Sequence, residues 1–198
     1  MNQRIRIILI LLIISVAIVF DQITKTIAVN TLKFNAAIAF WGDFFVLRYA
    51  ENTGAMLGFG SELPGYLRFW LLTVAVGLLL AVLVVYIFWN RNLTRVQTIA
   101  LTLIAGGGIS NFIDRLLNDG RVVDFMHMGF GDLRTGIFNV ADVFIMSGLA
   151  LMLIFGEWRD KSENAPENRP ADDAEPEPSA NSDIPAGKAP EQESDKPL

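Results

Sequence analysis

The sequence predicts a membrane protein that is mainly α-helical, with four transmembrane helices, a small β-sheet on the outer side and a disordered C-terminal tail. Three observations support this fold class. Four mostly apolar segments each have about the 20 residues that a helix needs to cross a bilayer. A stretch between the first two segments is rich in β-forming residues. Seven of the eight prolines lie beyond Arg159, where large apolar residues are scarce.

The four predicted spans cover residues 5–24, 69–89, 96–117 and 137–155. Basic residues precede the first span, fill the short link between the second and third, and follow the fourth. Because lysine and arginine in short flanks favour the cytoplasmic side, we expect both termini in the cytoplasm and the two longer links outside. The first span also resembles a cleaved signal peptide. Val19-Phe20-Asp21-Gln22 lacks the small residues of a cleavage site, so we expect this span to be retained.

The segment after the first span and the end of the chain have different compositions. The run from Phe44 to Tyr49 is rich in β-forming residues and lies between polar turn residues, which predicts a strand of the outer sheet. Residues 159–198 carry 11 acidic and 5 basic side chains and cannot bury enough apolar surface to offset the entropy of ordering. We therefore divide the chain into a membrane domain, 1–158, and a disordered cytoplasmic tail, 159–198. An idle extension is favoured over a partner-binding tail.

The composition excludes several kinds of active site. The chain has no cysteine, which removes disulfides, thiol nucleophiles and thiolate metal sites. His127 is the single histidine, and a zinc site normally needs several histidine or cysteine ligands. A serine–histidine triad would have to use this histidine, and no G-x-S-x-G motif is present. We expect no metal and no cofactor.

Two aspartates are the strongest functional signal. Asp142 lies inside the apolar fourth span, and Asp124 lies 18 residues earlier, between the third and fourth spans. An ionisable group at membrane depth costs several kcal/mol unless it is paired or hydrated, so it indicates a functional site. Two carboxylates in a partly dry site can share one proton, which suits acid–base hydrolysis. The structural alternative is that Asp142 is buried against Arg115 or a backbone donor.

Three further motifs carry polar residues toward the same side of the membrane. Asp21 and Lys25 are four residues apart on one helix face, and a helix-end ion pair is favoured over direct chemistry. Asn52-Thr53-Gly54 reads either as a hairpin turn or as a donor to a substrate carbonyl. The run Gly106 to Arg115 combines glycines that permit close helix packing with Asn111 and Arg115 on one face. Close packing explains the glycines well and the asparagine less well.

Other functions predict different patterns. Gly129-Phe130-Gly131-Asp132 matches the G-x-G-D of presenilin-like intramembrane proteases, but it lies in a polar link and not in a span. A proton-coupled transporter would distribute its polar groups through the membrane, whereas here they crowd one side. A non-catalytic scaffold would need neither Asp124 nor Asp142.

Five motifs between Asp21 and Asp142 occur in a specific order: Asp-Gln-x-Thr-Lys, Asn-x-Gly-Ala, Gly-Gly-x-x-x-Asn-x-x-Asp-Arg, Val-Val-Asp-Phe and Phe-Asn-x-Ala-Asp. This set, with the four-span layout, resembles the bacterial lipoprotein signal peptidases, or signal peptidase II. The tail after Arg159 lies outside the resemblance.

The resemblance implies an aspartic endopeptidase of the bacterial inner membrane, with its active site near the outer face. It would cleave prolipoproteins on the amino side of the diacylglyceryl-modified cysteine. It would contact membrane lipid, bind no nucleic acid and act as a monomer. The catalytic pair would be Asp124 and Asp142. The substrate site would be lined by Asn52, Gly54, Asn111, Arg115 and Asn139. Structural support would come from Asp21, Lys25 and Asp114.

Overall fold

The computed structural model of the chain describes residues 2–55 and 59–155, so the predicted tail, 159–198, lies outside the described residues. The described helices are α1 (Gln3–Leu32), α2 (Gly65–Trp89), α3 (Arg95–Leu117) and α4 (Val140–Phe155). The strands are β1 (Ile38–Phe40), β2 (Phe45–Asn52), β3 (Val122–Phe130) and β4 (Leu133–Arg134).

The helices have the length and composition of membrane spans. α1, α2 and α3 are long and apolar enough to cross a bilayer, and α4 is a shorter apolar helix whose described part ends at Phe155. Many large apolar side chains of α1 and α2 are exposed, as expected for surfaces that face lipid in place of water. The predicted fold class, a mainly helical membrane protein with a small sheet, is confirmed.

Helix α3 is the centre of the bundle. Of the residues in its most apolar 18-residue segment, 44% are buried, against 17% for the corresponding segments of α1 and α2. It packs against all three other helices. Three consecutive glycines permit this. A Cβ atom on Gly106 would lie 2.8 Å from Ala17 Cβ of α1, one on Gly107 would collide with the Ala141 carbonyl of α4, and one on Gly108 would lie 2.5 Å from Leu80 Cδ2 of α2. The predicted close packing at these glycines is confirmed.

Two helix ends have specific capping interactions. Thr94 and Gln97 form a capping box at the start of α3, which supplies partners for backbone N–H groups that the helix leaves free. At the same side of the bundle, the buried Arg6 guanidinium of α1 donates to the Ile87 and Asn90 carbonyls at the end of α2. The Arg6 hydrogen bonds tie the end of α2 to the first helix.

Helix α2 is irregular near its beginning. Its residues Phe69–Ala75 are π-helical, between an α-helical turn, Gly65–Arg68, and the regular stretch Val76–Trp89. Segments of π-helix inside longer helices often occur near functional sites. The buried Thr73 lies within this segment.

The four strands form one antiparallel sheet in the order β1-β2-β3-β4. β2 pairs with β3 in two short ladders, Phe45–Leu47 with Met126–Met128 and Ala50–Asn52 with Val122–Asp124. A register shift between Leu47 and Ala50 separates the ladders, so β2 has one extra residue there, as in a β-bulge. The bulge interrupts the pairing between the ladder that contains Asp124 and the rest of the sheet.

The structure corrects two expectations about this sheet. The predicted strand continues past Tyr49 to Asn52, and β2 pairs with β1 and β3, so the hairpin-turn interpretation of Asn52-Thr53-Gly54 is wrong. The segment between the third and fourth spans, which the sequence predicts as a link, contains the long strand β3, Val122–Phe130. Its Val-Val-Asp-Phe sequence follows the turn Asn118-Asp119-Gly120 and is rich in β-forming residues, as is typical of a strand.

The contact between α3 and α4 gives a test of the packing. Changing Gly148 to alanine places a Cβ atom 2.5 Å from the Ala100 carbonyl oxygen and 2.7 Å from Ile104 Cγ1. Because helix backbone must shift to make room, we expect a loss of about 1–3 kcal/mol of unfolding free energy, measured by thermal unfolding in detergent. Gly65→Ala is the control, since its nearest neighbour would be 3.9 Å away. Equal melting temperatures for the two variants would contradict the packing.

Candidate active site

Asp124 lies in the middle of the polar cluster between the sheet and the helices. It belongs to β3 and is 1% exposed. Asn52 donates from Nδ2 to Asp124 Oδ2 over 2.9 Å, and Asn139 donates from Nδ2 to Oδ1 over 2.7 Å. Both carboxylate oxygens therefore accept from side-chain amides, one on the neighbouring strand and one on the chain that leads into α4.

Asp142 is held by the start of α4. The Asn139 backbone N–H donates to Asp142 Oδ2 over 3.1 Å, and the Asp142 backbone N–H donates to Asn139 Oδ1 over 2.9 Å. This reciprocal pair is the arrangement of a capping box, which uses both side chains to satisfy backbone groups at a helix start. Asn111 of α3 donates from Nδ2 to the other oxygen of Asp142 over 3.0 Å.

Two asparagines connect the aspartates. Asn139 donates from Nδ2 to Asp124 and also to Asn111 Oδ1, 3.1 Å away, while Asn111 donates to Asp142. The two carboxylates are therefore bridged by amides from two different elements. These neutral amides supply hydrogen-bond donors without adding a charge beside the two carboxylates.

Below the amide bridge lies a buried ionic cluster around Lys25. Its Nζ atom is 2.6 Å from Asp21 Oδ2 and 2.9 Å from Asp114 Oδ2, and the three side chains are 5% exposed or less. The same ammonium donates to Asn111 Oδ1 over 2.9 Å, which orients the amide that binds Asp142. The cluster thus holds Asn111, one of the two bridging residues, in place.

The two carboxylates of this cluster are also fully occupied. Asp21 accepts from Ser110 Oγ and from the Ala141 backbone N–H at the start of α4, each within 2.8 Å. Asp114 accepts from Gln22 Nε2 over 2.7 Å and from the Val123 backbone N–H, next to Asp124, over 3.2 Å. The cluster therefore joins α1, α3, α4 and β3 around the pair of aspartates.

Arg115 points to the loop after β2. Its Nη2 atom donates to the Gly54 carbonyl over 2.8 Å, and Nη1 donates to the Asn111 carbonyl over 3.4 Å. Asn52 Oδ1 accepts from the Gly54 backbone N–H, and Asn52 Nδ2 also donates to the Ala55 carbonyl. Of the two structural alternatives for Asp142, the backbone donor is present, because the Asn139 backbone N–H donates to it. Within the described residues its side-chain donor is Asn111, and Arg115 donates to the Gly54 and Asn111 carbonyls.

Burial dominates the electrostatics of Asp124. Removal from water disfavours its charged form and raises the pKa of the Asp124 carboxyl to about 7, and the nearby Asp142 raises the pKa further. The hydrogen bonds from Asn52 and Asn139 act in the opposite direction because they favour the carboxylate. Asp124 therefore exchanges its proton close to neutral pH, as a group in acid–base chemistry must.

An apolar groove opens beside Asp142 along one face of α4. It has a volume of about 570 Å³. The lining residues are Thr135, Phe138, Asp142, Val143, Met146, Ser147 and Ala150. The groove brings an apolar surface, of the kind that an acyl chain or an apolar peptide would occupy, directly to one of the two carboxylates.

The structure brings together all the residues that the sequence singled out for the site: Asn52, Gly54, Asn111, Arg115, Asp124, Asn139 and Asp142. The predicted supporting residues Asp21, Lys25 and Asp114 meet in the ionic cluster. Sequence reasoning missed Gln22 and Ser110, although both lie beside residues that it named. The G-x-G-D aspartate, Asp132, is exposed in the turn between β3 and β4.

Comparison with known proteins gives a consistent set of relatives. Residues 13–156 match the family model for signal peptidase (SPase) II. A lipoprotein signal peptidase of Chlorobium phaeobacteroides is 36% identical over 152 residues, which cover 71% of this chain and 85% of the relative. A lipoprotein signal peptidase of Borrelia turicatae is 33% identical over 148 residues, which cover 72% of this chain and 85% of the relative.

Two solved structures share the fold. Both are bacterial membrane enzymes determined by the in meso method, at 2.3 Å and 1.9 Å resolution. The first superimposes with a TM-score of 0.63 at 30% identity and covers 73% of this chain and 85% of its own. The second gives a TM-score of 0.61 at 28% identity and covers 76% and 94%.

The ionic cluster gives a stability prediction. Replacing Lys25 by methionine leaves Asp21 and Asp114 buried without their cation, so we expect a loss of about 3–5 kcal/mol of unfolding free energy. Lys33→Met is the matched control, because Lys33 is 36% exposed and its 3.4 Å ion pair with Glu51 is worth about 1 kcal/mol or less. Thermal unfolding of both variants in detergent measures the difference. Similar losses for the two lysines would contradict the role of the cluster.

Proposed function

The chain belongs to the signal peptidase II family, and on that premise we propose that it is an aspartic endopeptidase with Asp124 and Asp142 as its catalytic pair. Family membership supports cleavage of lipoprotein signal peptides by a multi-pass membrane protein. The observation that carries the aspartic class is the bridge of Asn111 and Asn139 between two buried carboxylates. The substrate is a prolipoprotein with a diacylglyceryl-modified cysteine, cut on the amino side of that cysteine.

The two aspartates take different protonation states in this proposal. Asp142 accepts a backbone N–H at the start of α4, and a helix N-terminus favours a negative charge, so Asp142 carries the charge. Asp124 has a pKa of about 7 because of its burial, so it holds the shared proton at neutral pH. Asp142 is then the general base, and Asp124 is the general acid.

Hydrolysis proceeds in two steps. The Asp142 carboxylate takes a proton from a water molecule, whose oxygen attacks the scissile carbonyl carbon while Asp124 donates its proton to the carbonyl oxygen. The resulting tetrahedral diol collapses when its carbon–nitrogen bond breaks, and the proton held by Asp142 passes to the leaving nitrogen. A diol hydroxyl returns its proton to Asp124 as the carbonyl re-forms. The products are a signal peptide with a free carboxylate and a lipoprotein with an amino-terminal cysteine.

The remaining site residues position the substrate and the pair. Asn139 and Asn111 hold the two carboxylates, and Arg115 holds the loop through the Gly54 carbonyl. Asn52 uses its two Nδ2 hydrogens on Asp124 and on the Ala55 carbonyl, so a substrate carbonyl would take the place of the Ala55 carbonyl. Donors fixed around a developing oxyanion typically supply a few kcal/mol of transition-state stabilisation.

The placement in the membrane follows from charge and from the groove. The predicted orientation puts both termini in the cytoplasm and the pair near the outer face of the bacterial inner membrane. Apart from Arg6, the buried charged side chains of the described residues lie at the sheet end of the helices, unlike the distributed groups of a proton-coupled transporter. The apolar groove beside Asp142 would receive an apolar part of the lipidated substrate from the bilayer.

Removing either carboxylate should stop turnover. We expect Asp124→Asn and Asp142→Asn each to lower the rate of signal-peptide release by on the order of 10²–10⁴-fold, because each loses a proton-transfer group. The assay incubates the purified full chain with a diacylglyceryl-modified prolipoprotein and follows product mass. Asp132→Asn, in the G-x-G-D turn, is the control and should keep wild-type activity. Cleavage by Asp142→Asn at the wild-type rate would refute the proposal.

The pH dependence tests the assignment of the proton. Asp124 must be protonated to act as the acid, and its pKa is raised to about 7, so activity should be present below pH 7 and fall as the pH rises through that value. The measurement is kcat/KM between pH 5 and pH 9, because kcat/KM reports groups of the free enzyme. A thermal unfolding curve at each pH controls for loss of folded protein. Activity that keeps rising to pH 9 would assign the proton differently.

A further inference from the structure

A second polar cluster lies on the sheet, outside the catalytic pair. The Glu51 carboxylate accepts from Tyr49 Oη over 2.7 Å, from Arg121 Nη1 over 2.6 Å and from Lys33 Nζ over 3.4 Å. These donors come from β2, from the residue that precedes β3 and from the residue that follows α1. The hydrogen bonds from Tyr49 and Arg121 make the largest contributions to lowering the pKa of Glu51 to about 2. Glu51 therefore stays negatively charged between pH 5 and pH 9.

Glu51 lies in the short ladder that also contains the site. The ladder pairs Ala50 with Asp124, Glu51 with Val123 and Asn52 with Val122, and the bulge separates it from the rest of the sheet. If β2 slipped by one residue along β3, each of its side chains would point to the opposite face of the sheet. The bulge interrupts the regular pairing between the two ladders, so contacts within the short ladder contribute to holding the register of these three residues.

Two side-chain bonds cross this ladder in opposite directions. Asn52 is paired with Val122 but bonds to Asp124, two residues further along β3. Glu51 is paired with Val123 but bonds to Arg121, two residues earlier in the chain. Successive residues of a strand point to opposite faces, so the two bonds lie on opposite sides of the ladder. A shift of β2 along β3 that shortens one bond stretches the other.

From this geometry we propose that Glu51 is a positioning residue, which with Arg121 fixes the register of β2 on β3 and so holds Asn52 against Asp124. The inference rests on the proposed function, since it assigns Glu51 to the control of the catalytic acid. Glu51 touches neither carboxylate of the pair and acts only through Asn52. Its side chain is 32% exposed and Arg121 is 50% exposed, so the pair contributes little to global stability.

The effect should be visible in the titration of Asp124. The hydrogen bond from Asn52 lowers the pKa of Asp124, so its loss leaves that pKa higher. The other charged groups around Asp124 are Asp142 of α4, Lys25 of α1, and Asp114 and Arg115 of α3. The described partners of Glu51 are Tyr49, Lys33 and Arg121, so none of these groups bonds to it. A change at Glu51 therefore reaches Asp124 through the strand pair.

The experiment compares Glu51→Gln with Asp43→Asn. Asp43 forms an ion pair with Arg134 in the same sheet, on the far side of the bulge, so its change to the amide removes the same charge from the same kind of contact. Asn tolerates the positive φ of 76° at position 43. We expect Asp43→Asn to keep the wild-type kcat and pH profile.

For Glu51→Gln we expect kcat to fall by on the order of tenfold to a hundredfold, as for a small displacement of a catalytic group. KM should stay close to the wild-type value. The alkaline limb of the kcat/KM profile should move up by about one pH unit, the size expected for loss of one hydrogen bond to a carboxylate. Arg121→Gln should reproduce both changes, and it carries the test if Glu51→Gln does not fold.

A double-mutant cycle decides whether Glu51 acts through Asn52. Asn52→Ala should shift the alkaline limb in the same direction, and adding Glu51→Gln to it should shift the limb no further. An unmoved limb in a folded Glu51→Gln protein, or shifts that add in the double variant, would overturn the inference. Failure of the proposed function has a different signature, because Asp124→Asn would then remain active.

Discussion

Neutralising charge that is buried at the sheet end of the helices is the constraint on which this structure depends. Lys25 satisfies two carboxylates, Asp21 and Asp114, that would each be costly alone in a dry environment. The geometry that satisfies the three charges also assembles the fold, because the partners come from α1 and α3 and their remaining oxygens accept backbone N–H groups at the start of α4 and in β3. At this end of the bundle, the contacts that hold the helices together are therefore also the contacts that position the site residues.

Amide side chains connect this ionic cluster to Asp124 and Asp142. Lys25 orients Asn111, Asn111 binds Asp142, and Asn139 binds Asp124 while capping α4. These neutral donors hold the two carboxylates in place without adding a charge beside them. Burial raises the pKa of Asp124 to about 7, the charge of Asp142 adds to this rise, and the hydrogen bonds from Asn52 and Asn139 oppose it.

Helices and sheet place the two aspartates by different means. Asp142 is located by helix packing, in which glycines bring α3 within contact of its neighbours and leave little freedom of translation. Asp124 lies on a strand whose pairing with β2 is interrupted by a bulge. The bond from Asn52 to Asp124 and the exposed ion pair of Glu51 with Arg121 both cross the short ladder that contains Asp124.

The amino-acid sequence alone predicts the membrane class, the apolar segments that form the four helices, and the aspartate inside the last of them. Those features are local, because a 20-residue apolar run and an aspartate within it are visible in any window of the chain. The folded chain is needed to see that Asp124 lies on a paired strand, that Asp142 is bound by Asn111 and Asn139, and that Arg115 binds the Gly54 carbonyl. Most of these contacts join residues far apart in the chain, and their choice among several possible donors depends on how the helices pack.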